Sequence, residues 1–551
     1  MHWIHDTVIY NIYPLGFCGA PKENDFQLTY RLDKIYDFIP HFKKMGVNCI
    51  VFNPVFESTR HGYDTIDYKK IDSRLGDNES FKNICRTLHE NDIRVMLDGV
   101  FNHVGRDFFA FKDIRERGMG SIYTSWFHNI RFDQQSPYGD PFSYEGWAGF
   151  YDLVKLNLQN NDVVEHLLDA VSYWIDAFDI DGLRLDAANV MDVSFFKRLR
   201  YVCKEKKPDF WLYGEIVGGD YNRLANPEML DSVTNYEIYK GLYSSHNDRN
   251  YFEFAHSVDR QCGDWGMYKN IYMYNFADNH DVTRLASIIR DKALLKNVYT
   301  MLYAMPGVPA VYYGSEFAME GKKQRGSDDD LRRELNLNAL ENPDYDLFNH
   351  LCKLGVLRHK LEALQSGQYK NEMIQLEHMC FSMKTDRQKV YIMLNQSSEP
   401  RSIGISTNFN GVLTDVLNDN RQYGCNGWFE VSVPPMSSMI LVENDGSFRI
   451  EFDAQAEIAV PQPEKAITGA DEASKTEPEL VPEEIVKGRY RHFKGNEYEV
   501  IDFAKDSETA ETMVIYRALY GERELWVRPY EMFREIIERD GKKFRRFEKI
   551  D

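Results

Sequence analysis

The chain is short of three things. No stretch approaches the roughly 18 apolar residues a helix needs to cross a bilayer, so no spanning helix is expected. Basic charge is scarce, with 66 Lys and Arg against 86 Asp and Glu for a net charge of −20. A field of that sign repels nucleic acid and anionic membrane surfaces, and neutral sugars are indifferent to it. The eight cysteines are scattered, with no Cys-x-x-Cys and no pairing rhythm, which predicts reduced, buried thiols in a cytoplasmic protein rather than disulfides. The start, Met1-His-Trp-Ile-His-Asp-Thr-Val-Ile-Tyr10, has no basic segment, no apolar core of signal length and no cleavage-like site, and it reads directly into a first strand.

From the start to about residue 365, apolar strand-like runs alternate with segments of helical period. The strand candidates are residues 8–13, 48–52, 94–98, 183–185, 210–214, 231–235, 271–276 and 309–313. The helical segments between them include 30–44, 80–90, 162–178 and 194–206. Eight strands alternating with helices predict a parallel α/β architecture, and their number favours a closed (β/α)8 barrel over residues 1–103 and 159–365. Residues 104–158, between the third strand and its helix, are loop-like, aromatic and glycine-rich. So long an insertion is usually functional, and Trp147 in the run Tyr144 to Tyr151 is expected to wall a cleft.

Beyond the barrel, residues 366–447 change to short alternating strands with turn punctuation, which predicts an antiparallel β-sandwich. Residues 448–487, rich in Pro, Ala, Glu and Lys, read as a disordered linker. Residues 488–551 regain strand patterns at 498–503, 513–516 and 525–527, with a short amphipathic helix near 530–539. That is a separate small α+β domain.

Four polar clusters end apolar runs: Asp98-Gly-Val-Phe-Asn-His103, Gly182-Leu-Arg-Leu-Asp186, Tyr213-Gly-Glu215-Ile216 and Phe276-Ala-Asp-Asn-His-Asp281. On a strand, Arg184 and Asp186 share a face, and the guanidinium favours the ionised carboxylate. Glu215 sits where a buried strand meets a cleft, and partial desolvation raises a carboxyl pKa as a general acid requires. Neighbouring strands about 4.8 Å apart suit the roughly 5–5.5 Å between carboxyls of a retaining glycosidase. Taken singly, Arg184 with Asp186 reads equally as an ordinary ion pair, and Glu215 as a salt-bridge partner. Asn102-His103 and Asn279-His280-Asp281 add imidazoles and a third carboxylate. Tyr63 and Asp64, after the second strand, offer a ring for stacking and an acceptor for hydroxyls.

Together these clusters resemble the four ordered regions of the α-amylase superfamily (glycoside hydrolase family 13), over roughly residues 5–447. The resemblance implies Asp186 as nucleophile, Glu215 as general acid/base and Asp281 as the carboxylate that stabilises the transition state. It implies Arg184 as the group positioning Asp186, with His103, His280 and Tyr63 lining the subsite of the reacting sugar. Gly307-Val-Pro-Ala-Val-Tyr-Tyr-Gly-Ser-Glu316 matches the family's eighth strand. Within the superfamily the chain is most similar to the neopullulanase, cyclomaltodextrinase and maltogenic amylase group, through Val154-Lys-Leu-Asn157, Gly146-Trp-Ala-Gly-Phe150 and Asp186-Ala-Ala-Asn189. It departs from that group at Val190, which replaces a Glu, at Val217, which replaces a Trp, and at Val154, which replaces a Pro. The barrel is expected to start within about eight residues of Met1, without the group's N-terminal domain. No cofactor is expected to be required, and calcium is the one ion the resemblance raises, with Asn102 as its candidate ligand.

The implied activity is retaining hydrolysis of α-1,4-linked maltooligosaccharides or cyclodextrins, with α-1,6 cleavage and transglycosylation as side activities. A glucan transferase or isomerase shares every catalytic residue and is the first alternative, and a non-catalytic glucan-binding barrel is the second. The expected partner is the oligosaccharide substrate. The tail, with Gly488-Arg-Tyr-Arg-His-Phe-Lys-Gly495 and Tyr520 to Pro529, resembles a small bacterial domain family of unknown function, and its partner is not readable.

Overall fold

The computed structural model describes residues 2–452, 485–492, 497–505, 512–519, 525–539 and 542–550. The expected linker lies almost wholly outside the described residues. The chain divides into two compact units, residues 1–461 and 462–551.

In the first unit, eight parallel strands form one sheet: β1 (Ile9–Ile12), β2 (Cys49–Phe52), β3 (Arg94–Gly99), β4 (Gly182–Leu185), β5 (Trp211–Gly214), β6 (Ser232–Val233), β7 (Tyr274–Phe276) and β8 (Val308–Tyr312). Their order is β6-β5-β4-β3-β2-β1-β8-β7. A parallel bridge from Thr234 to Tyr274 joins the two ends and closes the barrel. Strands buried on both faces read as unbroken apolar runs, as in Cys49-Ile-Val-Phe52, where all four residues are buried. The sixth strand is shorter than its sequence run. The Asp231 carboxylate takes the Leu212 N–H at 2.9 Å in place of a ladder bond, and Lys204 and Arg200 hold that carboxylate at 3.1 and 2.7 Å.

Inside the barrel, Ile9, Cys49, Val51, Met96, Trp211, Tyr213, Tyr274 and Phe276 pack into a floor beneath the catalytic rim. Gly182 faces the bulk of that floor. A Cβ there would lie 2.5 Å from the Trp211 carbonyl oxygen and 2.7 Å from Met96 Cε, so the neighbouring backbone on one side and the Met96 side chain on the other require glycine between them. Outside, the α-helices α1 (Ile35–Lys44), α2 (Asn78–Glu90), α3 (Asn161–Phe178) and α4 (Val193–Lys206) follow the first four strands. Asp77 and Ser80 cap α2 reciprocally, which satisfies two of its orphan donors.

The insertion after β3 carries the helix Phe109–Arg117 and a small sheet of Gly146–Trp147, Phe150–Lys155 and His103–Gly105. Arg106 ties it together, donating to both Asp140 oxygens at 2.8 and 2.9 Å. Trp174 on α3 lies flat against Phe56 and Phe101, with ring centroids 4.3 and 5.7 Å away.

After the barrel come β9 (Gln368–Ile374), β10 (His378–Lys384), β11 (Lys389–Asn395), β12 (Arg401–Asp415), β13 (Arg421–Val433) and β14 (Ser437–Asn444). The layers expected of the sandwich belong to one antiparallel sheet, ordered β9-β10-β11-β14-β12-β13. Period-two alternation gives it two apolar faces. Val390, Ile392, Leu394, Ile440 and Val442 join the main core, and Tyr391, Met393, Ile403, Ile405, Phe429 and Leu441 make a second. None of the eight cysteines is in a disulfide. Among the described residues no helix is long and apolar enough to cross a membrane.

The second unit has a five-stranded sheet ordered Leu525–Pro529, Thr512–Ala518, Glu497–Lys505, Gly488–His492, Phe547–Lys549. Its core includes Tyr490, Val514, Tyr516, Phe533 and Phe547. The helix expected over 530–539 is confined to Tyr530–Phe533, and Ile536–Arg539 is a strand paired with Lys542–Arg545. The β-branched pair Ile536-Ile537, stiff at χ1, favours the extended chain.

Gly182→Ala is expected to lower stability by about 1–3 kcal/mol through overpacking. Urea denaturation would read this, and an unchanged midpoint would mean that the floor can yield.

Candidate active site

The ends of β3, β4 and β5 stand side by side, with Asp98 opposite Arg184 and Arg184 opposite Tyr213 in register. One residue beyond, the backbone N–H of Asp186 donates to Gly99 O and that of Glu215 to Leu185 O. The ladder thus delivers three carboxylates around one buried guanidinium. Arg184 pairs with Asp98, lies 3.3 Å from Asp186 Oδ1 and reaches Glu215 Oε1 at 2.9 Å. Asp186 and Glu215 are therefore within the span of a single side chain, on one side of the barrel mouth.

Each carboxylate has further partners. Asp98 Oδ2 accepts from Asn53 Nδ2 at 3.0 Å and from the Tyr63 hydroxyl at 3.1 Å. Glu215 accepts from the Ala187 N–H at 3.1 Å and from the Tyr236 hydroxyl at 3.3 Å. Asp281 lies 2.9 Å from His280 Nε2 and 2.7 Å from the Arg332 guanidinium. His280 is stacked on Tyr63 and Tyr13, at ring centroid distances of 5.4 and 6.1 Å, and it contacts the Tyr63 hydroxyl.

These surroundings move the two aspartates in opposite directions. Burial and then the charge of Glu215 push the Asp186 carboxyl well above its ordinary range, against the pull of Arg184. For Asp281 burial also pushes upward, but His280, Arg332 and Arg184 overcome it and hold the carboxyl well below that range. Burial drives the His103 imidazole down to about 3, so it is neutral. His103 Nε2 and His280 Nδ1 are buried and have no hydrogen-bond partner.

The structure thus brings together Asp186, Glu215, Asp281, Arg184, His280 and Tyr63. His103 lies with Trp147, rings 5.4 Å apart, on the sheet of the insertion. Asp64 is held within its own turn. It is buried, and its Oδ1 accepts the His61 N–H at 3.0 Å, pinning its own turn. Asn102 donates to His103 Nδ1 at 3.2 Å. Among the described residues no group of three or more His, Cys, Asp or Glu is placed to hold a metal ion.

Four participants had no role in the sequence reading. Asp98 opens a quoted cluster, and its position on a strand end was the signal that could have found it. Asn53 and Tyr236 follow strands β2 and β6 outside any cluster. Arg332 lies in the loop after β8, in Asp328-Asp-Asp-Leu-Arg-Arg333, where nothing local separates it from a surface arginine. Its guanidinium covers the Tyr13 ring at 4.7 Å.

A raised folded-state pKa means that Asp186 supports folding fully below its unfolded value of about 3.9 and loses that support as pH rises through the folded value. Asp186→Asn removes the charge and keeps the shape. The variant is expected to melt above the parent at pH 7.5, with the gap closing towards about pH 4. Calorimetry at both pH values checks this, and a less stable variant at pH 7.5 would contradict the assigned electrostatics.

Residues 12–346 match the family model described as alpha amylase, catalytic domain, and residues 488–549 match a protein of unknown function (DUF1653). A cyclomaltodextrinase of Geobacillus thermopakistaniensis is 30% identical over 456 residues, 79% of this chain and 76% of that protein. The intracellular maltogenic amylase of Bacillus subtilis is 30% identical over 78% of this chain and 73% of its own length. Among solved structures, the debranching enzyme of Nostoc punctiforme soaked with acarbose superposes with a TM-score of 0.67 at 27% identity, covering 80% of this chain and 98% of that one. The chain belongs to the alpha-amylase family of glycoside hydrolases.

Proposed function

We propose that this protein is a retaining hydrolase of α-1,4-glucosidic bonds in maltooligosaccharides or cyclodextrins. The observation that carries the proposal is the single guanidinium of Arg184 spanning Asp186 and Glu215. A nucleophile and a proton donor at one sugar must be that close together. The names of the relatives, cyclomaltodextrinase and maltogenic amylase, support the substrate class.

The retaining pathway starts with the proton on Glu215 and Asp186 ionised. A proton there removes one of the like charges that, with burial, push Asp186 up, and Arg184 opposes what remains. Asp186 attacks the anomeric carbon and forms a bond to it as the glycosidic C–O bond breaks. The Glu215 proton passes to the leaving oxygen. Glu215, now a carboxylate, takes a proton from water, whose oxygen displaces Asp186 and releases the sugar. Asp281, held ionised by His280 and Arg332, faces the developing positive charge. The neutral His103 and the unpartnered nitrogens of His103 and His280 are suited to sugar hydroxyls. The relative named an intracellular maltogenic amylase and the free cysteines support a cytoplasmic setting.

The test is product analysis on cyclodextrins, maltotriose, pullulan and starch, with the anomer followed by NMR during the first turnovers. Maltose and glucose released as α-anomers are expected, and β-anomers would overturn the retaining pathway. Larger oligosaccharides than the starting sugar would identify a transferase. Glu215→Gln is expected to lose about three or more orders of magnitude in kcat while still binding maltotriose. Undiminished turnover in that variant would remove Glu215 from the proton-donor role.

A further inference from the structure

A groove of about 570 Å³ lies where the antiparallel sheet meets the loop that follows the helix Tyr251–Cys262. That loop leads into the N-terminal end of β7, so the barrel side of the groove comes from the face opposite the catalytic rim. Nothing in the mechanism uses it.

Three observations bear on what it holds. First, Trp265, which follows the lining residue Asp264 in the chain, is 96% exposed. An indole left in water forgoes a burial worth several times the energy of an ordinary surface contact. Second, the charges on the groove wall balance, with Asp264, Glu372 and Glu443 against Lys370, Lys384 and Lys389, so there is no net field to select an ion. Third, these groups are held in place. The nearly buried Glu372 takes Lys370 at 2.9 Å and Lys389 at 2.8 Å, and the Tyr391 hydroxyl donates to Glu443 at 2.7 Å and lies 3.0 Å from the Thr407 hydroxyl. The register of β12 against β13 breaks between Ser406 and Asn410, which leaves the exposed Asn408 on the groove wall.

Fixed donors and acceptors without net charge, beside an open aromatic ring, are the features that recognise a neutral polyhydroxylated ring. We propose that this groove is a second, non-catalytic binding site for a chain of α-linked glucose units, with Trp265 stacked on a sugar face. The identity of the sugar rests on the proposed function, whereas the location of the site does not. A long glucan held there stays tethered to the enzyme, which raises its effective concentration for the cleft on the opposite face.

Native electrophoresis through gels containing soluble amylose, pullulan or hydroxyethyl cellulose tests the site, using Glu215→Gln protein so that the polymer is not consumed. Trp265→Ala and Asn408→Ala, both exposed and harmless to folding, are each expected to weaken retardation by amylose about 3- to 10-fold. In the otherwise native enzyme the same substitutions should leave kcat/KM on maltotriose within about twofold, because so short a sugar cannot engage groove and cleft together. Unchanged retardation in both variants overturns the site, and so does a parallel loss of maltotriose turnover. Retardation by the cellulose polymer alone overturns the sugar class. Retardation lost in Trp265→Ala from a protein that hydrolyses no α-glucan would sink the proposed function and leave the groove standing.

Discussion

Everything at the barrel mouth depends on one buried guanidinium. Arg184 carries a single positive charge and is met by Asp98, Asp186 and Glu215. A cluster with more negative than positive charge, taken out of water, is expensive unless it is closely hydrogen-bonded or takes up a proton. Both solutions are in place. Asn53, Tyr63, Tyr236 and the Ala187 N–H satisfy carboxylate oxygens, and burial together with the charge of Glu215 drives Asp186 upward. Crowding these acids out of water is what raises Asp186, so the arrangement that weakens the fold here is the one the proposed mechanism draws on.

Asp281 is the contrasting case. It is no less a rim carboxylate, yet His280 and Arg332 give it two partners of its own, and it stays charged. Two aspartates of the same sequence type are thus set to different states by their neighbours alone. Beneath both, the stacked Trp211, Tyr213 and Tyr274 make a floor that cannot shift without opening cavities. This floor gives the carboxylates fixed positions instead of a mobile cluster.

Much of this was legible in the residues. Buried parallel strands leave unbroken apolar runs, and a polar cluster closing such a run marks a strand end at a rim, which is how Asp186, Glu215 and Asp281 stand out. The helices of the barrel also fall within a few residues of their periodic segments, because an amphipathic stripe is a local signal. The short tail helix was misread for the same reason, since Ile536 and Ile537 fit a stripe and a strand equally well until a partner strand decides between them.

Strand-end chemistry was therefore determined by sequence alone, since strand, rim and carboxylate lie within a few residues of one another. Tertiary structure decided the rest. Arg332 comes from a loop some fifty residues beyond Asp281, Tyr236 and Asn53 arrive from other strands, and Asp64 turns inward because its own backbone claims it. Which carboxyl is pushed up and which is held down depends on distances between groups far apart in the chain. Electrostatic energy is set by separation in space and by exclusion of water, and neither is written in the order of residues.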